Sequence, residues 1–147
     1  MNKWDRYFFD IAKRTSEMSK DRTKIGAAIM RPDKSLASTG FNGLVPGMDD
    51  EKFLKDREFK NLIVRHAEEN AIWFARHPDP KDCTMYLYGL LPCGRCASAI
   101  IMSGIKRLNY VISVESAGWN ASCDAGQIAF NSCGLEIYNC TKEYVNE

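Results

Sequence analysis

Two short motifs in this 147-residue chain hold residue types that do chemistry together: His66-Ala67-Glu68 and Pro92-Cys93-Gly94-Arg95-Cys96. Two cysteines three apart share one face of a helix's first turn. Unpaired backbone N–H groups and the positive end of the helix dipole favour thiolates there. Pro92 suits the entry to such a helix, because its missing N–H would have had no partner. Two thiolates and one imidazole (His66, Cys93 and Cys96) make three ligands for tetrahedral zinc. With no evident fourth protein ligand the last position falls to water, the pattern of a catalytic zinc. Glu68, in the first turn of a helix begun by His66, is placed to accept a proton from that water and deliver it elsewhere. The same cysteines could instead form a redox pair, or a structural zinc site completed by Cys83, Cys123, Cys133, Cys140 or His77, but neither use needs a His-x-Glu.

The elements that must position these motifs follow from hydrophobic pattern and turn signals. Trp4, Tyr7, Phe8, Ile11 and Ala12 fall on one face of a helix. Residues 25–30 (IGAAIM) read as a buried strand, 31–34 (RPDK) as a turn, and 36–41 as a strand that pairs back. A glycine-rich loop spans 40–47, and residues 49–65 carry five acids and five bases, the mark of a solvated, partly helical insertion. Helices are predicted over 67–76, 93–103 and 121–132, and strands over 84–91, 108–114 and 135–140. The order α-β-β-α-β-α-β-α-β, with strands and helices alternating in the second half, implies parallel strands joined by crossovers and helices on both faces of one sheet. The length suits a single domain, residues 1–147.

Composition narrows the partners. A formal net charge of +1 and a balanced insertion offer no groove for nucleic acid. The charged N-terminus lacks an export signal and no stretch is long and apolar enough to span a bilayer, so no membrane partner and a cytoplasmic location are expected. In a reducing compartment the remaining four of six cysteines, Cys83, Cys123, Cys133 and Cys140, are expected as free, mostly buried thiols.

From residue 4 to residue 140 the sequence resembles the deoxycytidylate (dCMP) deaminases of the cytidine deaminase superfamily. His-x-Glu with Pro-Cys-x-x-Cys is the signature of zinc nucleobase deaminases, in which the Glu is acid/base and not a ligand. The likeness extends to Ser19-Lys20-Asp21-Arg22-Thr23-Lys24-Ile25-Gly26-Ala27, Gly40-Phe41-Asn42-Gly43, His66-Ala67-Glu68-Glu69-Asn70-Ala71-Ile72 and Ser103-Gly104-Ile105-Lys106. It implies a three-layer α/β/α fold around one mixed five-stranded sheet, and hydrolysis of dCMP to dUMP and ammonia. It also implies Arg22 on the 5′-phosphate with Lys24 assisting, Asn42 on the sugar, the Ala67 backbone N–H on the base carbonyl, and Trp119 near the nucleotide; a solvated strand-end lysine is the other reading of Lys24, and core or interface packing that of Trp119. Family habit further implies a homo-oligomer, typically a hexamer, activated by dCTP and inhibited by dTTP, with Mg2+ on the effector. Gly43, Asp49 and Asn70 lie in the segments that resemble the effector site. Some relatives hold a second zinc through Cys or His in the loop after Gly43; here 45–50 (VPGMDD) contains neither, so one zinc per chain is expected. The competing substrates are dCTP, cytidine or a base in RNA, and a non-catalytic zinc or nucleotide-binding protein is the alternative of a different class.

Overall fold

The computed structural model describes residues 1–75, 79–113 and 120–146. They form a five-stranded sheet in the order β2-β1-β3-β4-β5. The strands are β1 (Gly26–Met30), β2 (Leu36–Phe41), β3 (Thr84–Gly89), β4 (Arg107–Ile112) and β5 (Glu136–Asn139). β1 runs antiparallel to both β2 and β3, whereas β3, β4 and β5 are parallel. The mixed sheet matches expectation: a tight turn at 31–34 can only return the chain antiparallel, and helical crossovers can only return it parallel.

Strand alternation divides the core in two. Ala27, Ile29, Met85, Leu87, Leu108 and Tyr110 face α4 (Ala67–Phe74), α5 (Gly94–Met102) and α6 (Ala121–Ser132). Ala28, Met30, Tyr86 and Val111 face α1 (Lys3–Ser16) and the short α7 (Thr141–Val145). The result is three layers. On the α1 side Tyr86 is gripped by two phenylalanines, stacked with Phe8 at 5.3 Å and edge-on to Phe9 at 5.2 Å, and its hydroxyl donates to Asp5 at 2.8 Å. Asn2 caps α1, accepting from the N–H groups of Trp4 and Asp5.

Two features exceed the sequence reading. The insertion forms two short helices, α2 (Asp50–Phe53) and α3 (Arg57–Ile63), each started by an aspartate cap, Asp49 and Asp56. Neither helix has a buried residue; Phe53 and Phe59 pack on each other at 5.1 Å. The second is α7, too short for a periodic signal. It is held because Tyr144 packs against Phe9 and donates to Asp10 at 2.8 Å. The cysteine expectation needs one correction. All six are free, but Cys133 is exposed and Cys140 half-buried, because the C-terminal strand lies at the sheet edge. No helix among the described residues is long and apolar enough to cross a membrane.

Candidate active site

α4 and α5 lie side by side on one face of the sheet and present their N-termini to the same cleft. α4 reaches its place through small residues. Ala67, Ala71 and Ala75, one turn apart, are buried against the sheet. Opposite them, a Cβ on Gly40 would stand 2.4 Å from both the Ala67 carbonyl oxygen and the Ala71 nitrogen. Only glycine admits the helix backbone this close, so a strand residue sets where His66 and Glu68 sit. Ser38 reinforces the seat by donating to the Ala71 carbonyl at 2.6 Å. α5 is fixed from the other side, where the Gly94 N–H donates to Ser122 Oγ of α6 at 2.9 Å.

His66 is the N-cap of α4 and Cys93 the N-cap of α5. His66 Nδ1 lies 3.3 Å from Cys96 Sγ and 3.6 Å from Cys93 Sγ. The three donor atoms all fall within 4.8 Å of one another, and no fourth His, Cys, Asp or Glu joins the group among the described residues. A tetrahedral zinc with bonds of about 2.3 Å to sulfur and about 2.0 Å to nitrogen holds N and S ligands about 3.5 Å apart. The observed spacing fits zinc, and Nδ1 is the nitrogen that faces the two sulfurs. Glu69 steadies the imidazole's backbone by accepting the His66 N–H at 3.2 Å.

The electrostatics are those of a cluster sharing protons. Without a metal, Cys93 is pulled down to about 3, first by the hydrogen bond from the Cys96 thiol and then by that from His66. Cys96 is driven far upward by donating to that thiolate and by burial. His66 rises to about 9, chiefly through its hydrogen bond to Cys93 and against the pull of burial. Glu68 is 4% exposed, and burial pushes its carboxyl up to about 7, with His66 opposing. A carboxyl poised near neutral pH beside a metal centre is suited to take and return protons.

The centre lies in a cleft of about 1120 Å³ whose walls include Arg22, Asn42, Ala67, Glu68, Cys93 and α3. Arg22 is exposed on that wall. Lys24 is exposed but does not line the cleft: its ammonium turns to the Ser19 carbonyl, away from the phosphate role the resemblance implies. The Asn42 amide is bound to backbone, accepting the Ile25 N–H at 2.9 Å and donating to the Thr23 carbonyl at 2.7 Å. It staples the end of β2 to the start of β1, leaving one amide hydrogen and one lone pair for a ligand. Gly43 and Asn70 are drawn together by Arg65. Gly43 and Arg65 exchange backbone hydrogen bonds of 3.0 and 2.9 Å, and Arg65 Nε lies 3.5 Å from Asn70 Oδ1. Asn70 also donates to the Phe41 carbonyl at 2.8 Å, whereas Asp49 is spent capping α2. Trp119 and His77 lie outside the described residues. Cys123 is the buried free thiol the sequence reading expected, but its place on the cleft wall was not foreseen, and Lys60 on α3 was not singled out at all. A residue inside a charge-balanced insertion carries no signal of its own.

Residues 2–112 match the sequence profile of the family described as "Cytidine and deoxycytidylate deaminase zinc-binding region". The human deoxycytidylate deaminase is 31% identical over 150 residues, covering 95% of this chain and 83% of its own. An "uncharacterized deaminase in luxG 3′ region" of Aliivibrio fischeri is 34% identical over 140 residues, 93% of each chain. Among solved structures, the dCMP deaminase of cyanophage S-TIM5 in complex with dCMP and dUMP superposes with a TM-score of 0.71 at 20% identity, covering 95% of this chain and 98% of its own. The zinc-spaced donor triad, the neighbouring acid and these relatives agree: the chain belongs to the zinc-dependent cytidine and deoxycytidylate deaminase family.

Proposed function

We propose that the chain acts as one deaminase domain, residues 1–147, that hydrolyses dCMP to dUMP and ammonia. The observation that carries this reading is Glu68, a buried acid on the wall of the cleft that His66 and Cys93 also line, with Cys96 completing their donor triad behind them. When bound, zinc supplies a Lewis acid that makes a water acidic enough to act near neutral pH. Glu68 then takes a proton from the attacking water and delivers it to ring N3. As the water oxygen bonds to C4, Glu68 carries a second proton to the leaving amine, and ammonia departs. The Ala67 N–H, free at the first turn of α4, holds the base carbonyl, and the spare capacity of Asn42 meets the sugar. Arg22 supplies a cation for the 5′-phosphate. Support for a nucleotide substrate comes from these cleft residues and from the curated dCMP deaminase relatives, 30% or more identical over most of the chain.

Trp119 beside the nucleotide, effector control by dCTP and dTTP with Mg2+ on the triphosphate, a hexameric homo-oligomer and a cytoplasmic role in dUMP supply belong to the same reading. The grouping of Gly43 and Asn70 on Arg65 supports the effector part. The test offers the purified protein dCMP, dCTP, cytidine and tRNA and follows ammonia release. Turnover of dCMP in preference to the others is expected. Turnover of cytidine but not dCMP would overturn the nucleotide reading, and a Glu68→Ala variant that still turns over would overturn the mechanism.

A further inference from the structure

We propose that Lys60, carried on α3 and docked on the buried carboxylate of Asp21, is a second residue that reads the 5′-phosphate, so that the 49–63 insertion sets selectivity for nucleotides over nucleosides. The inference rests on the monophosphate reading above and adds to it a residue that lies outside the motifs.

Lys60 Nζ lies 3.1 Å from Asp21 Oδ1, and the side chains are only 18% and 7% exposed. Taking such a pair out of water is costly, and a fold that only needed a clasp could use apolar contacts instead. The neighbouring insertion does use one, Phe53 against Phe59. Asp21 is itself fixed: its Oδ1 also takes the Thr23 N–H at 3.3 Å, and its own N–H donates to Ser19 Oγ at 3.2 Å. The ammonium is thereby held at one place on the wall of the cleft that contains His66, Glu68 and Cys93. One of its three hydrogens serves Asp21, which leaves two for a ligand.

The chemistry of the ligand follows from the charges around it. Lys20 is paired with Asp50 at 2.8 Å. Arg22, Lys55 and Arg57 on the same cleft make no ion pair among the described residues; of the acids lining it, Asp21 and Asp50 are paired and Glu51 and Glu68 are not. With Lys60 neutralised by Asp21, the surplus there is cationic, carried by Arg22 and by Lys55 and Arg57 of the insertion. A pyrimidine whose C4 meets Glu68 projects its sugar and phosphate away from the metal. A phosphate dianion fits this wall: Arg22 supplies net charge, and Lys60 supplies hydrogen-bond donors already oriented, which lowers the ordering cost of binding.

The test is substrate discrimination. For the zinc-loaded wild type, Lys60→Met and Lys60→Arg, kcat/KM is measured on dCMP and on deoxycytidine, and binding of dUMP and deoxyuridine is read by calorimetry. In Lys60→Met the ratio of monophosphate to nucleoside should fall by about 30- to 100-fold, the weight of one charge-assisted hydrogen bond, with the loss in KM and in dUMP binding. Lys60→Arg should restore most of the ratio. A merely structural pair would weaken both substrates alike and leave the ratio unchanged; that result, or an undiminished dUMP affinity, overturns the inference. A wild type that prefers deoxycytidine to dCMP would refute the monophosphate reading itself. A wild type that prefers dCMP while Lys60→Met keeps that preference would refute only the role of Lys60.

Discussion

Replacing Glu68 by Gln should stabilise the metal-free protein while abolishing turnover, and the stability gain should depend on pH. Burial raises the Glu68 carboxyl from 4.5 to about 7, so between those values the folded chain holds a proton that the unfolded chain has released. Because the folded-state value is raised, folding is progressively penalised as pH climbs through this window. The penalty is absent below about pH 4.5 and complete above about pH 7. At 1.36 kcal/mol per tenfold change in proton affinity, it amounts to about 3 kcal/mol. Glutamine is close in shape and cannot ionise, so it escapes the penalty. Any change in hydrogen bonding at the site adds an offset that does not vary with pH. Urea denaturation of metal-free wild type and Glu68→Gln at pH 5, 6, 7 and 8 should show the variant's advantage growing by about 2.5 kcal/mol across the series, the first part of the penalty being already present at pH 5. In thermal scans the gain at pH 8 should be on the order of 10 °C. Saturating zinc should shrink the gap, since a nearby cation favours the carboxylate. A difference that stays flat from pH 5 to pH 8 would refute the picture of a desolvated acid held ready for proton transfer.

Further outcomes follow from the same geometry. Gly40→Ala should cut turnover at least tenfold and destabilise the fold by about 1–3 kcal/mol, because its methyl would collide with α4 backbone at 2.4 Å; kinetics and a melting curve on one preparation check both. Zinc uptake near pH 7 should release protons from His66, which titrates at about 9 in the free site, and from the Cys96 thiol. The metal-free site holds more protons than the loaded one, so apparent affinity should rise with pH, steeply below about 9 and more gently above it where only the Cys96 proton is left to displace, read by competition with a chelator whose own protonation is known. Phe9→Ala should cost about 3–5 kcal/mol by emptying the contact with Tyr86 and Tyr144, yet leave the zinc content at one per chain by elemental analysis.

The donor triad that could hold zinc, the acid proposed to work beside it and the mixed sheet were legible from the chain because local chemistry specifies each. A histidine and two cysteines at helix starts need only a turn of helix to present them, and strand and helix order follows from short-range periodicity. The structure brought His66, Cys93 and Cys96 within 4.8 Å of one another, as the spacing anticipated. What only the tertiary structure decided involves pairs distant in sequence. Gly40 was read at the end of the strand over 36–41, where the glycine-rich loop begins, but nothing in the sequence showed that α4 presses against it from 27 positions away. Lys24 and Lys60 are both lysines beside polar neighbours. One turns to a backbone carbonyl, and the other crosses 39 positions to a buried aspartate on the cleft wall. Asn42 was readable as a polar side chain beside the site, but not as the staple between β1 and β2. A single sequence displays residue types and their spacing. Which backbone approaches closely enough to require glycine, and which carboxylate captures which ammonium, depends on the packing of helices onto the sheet.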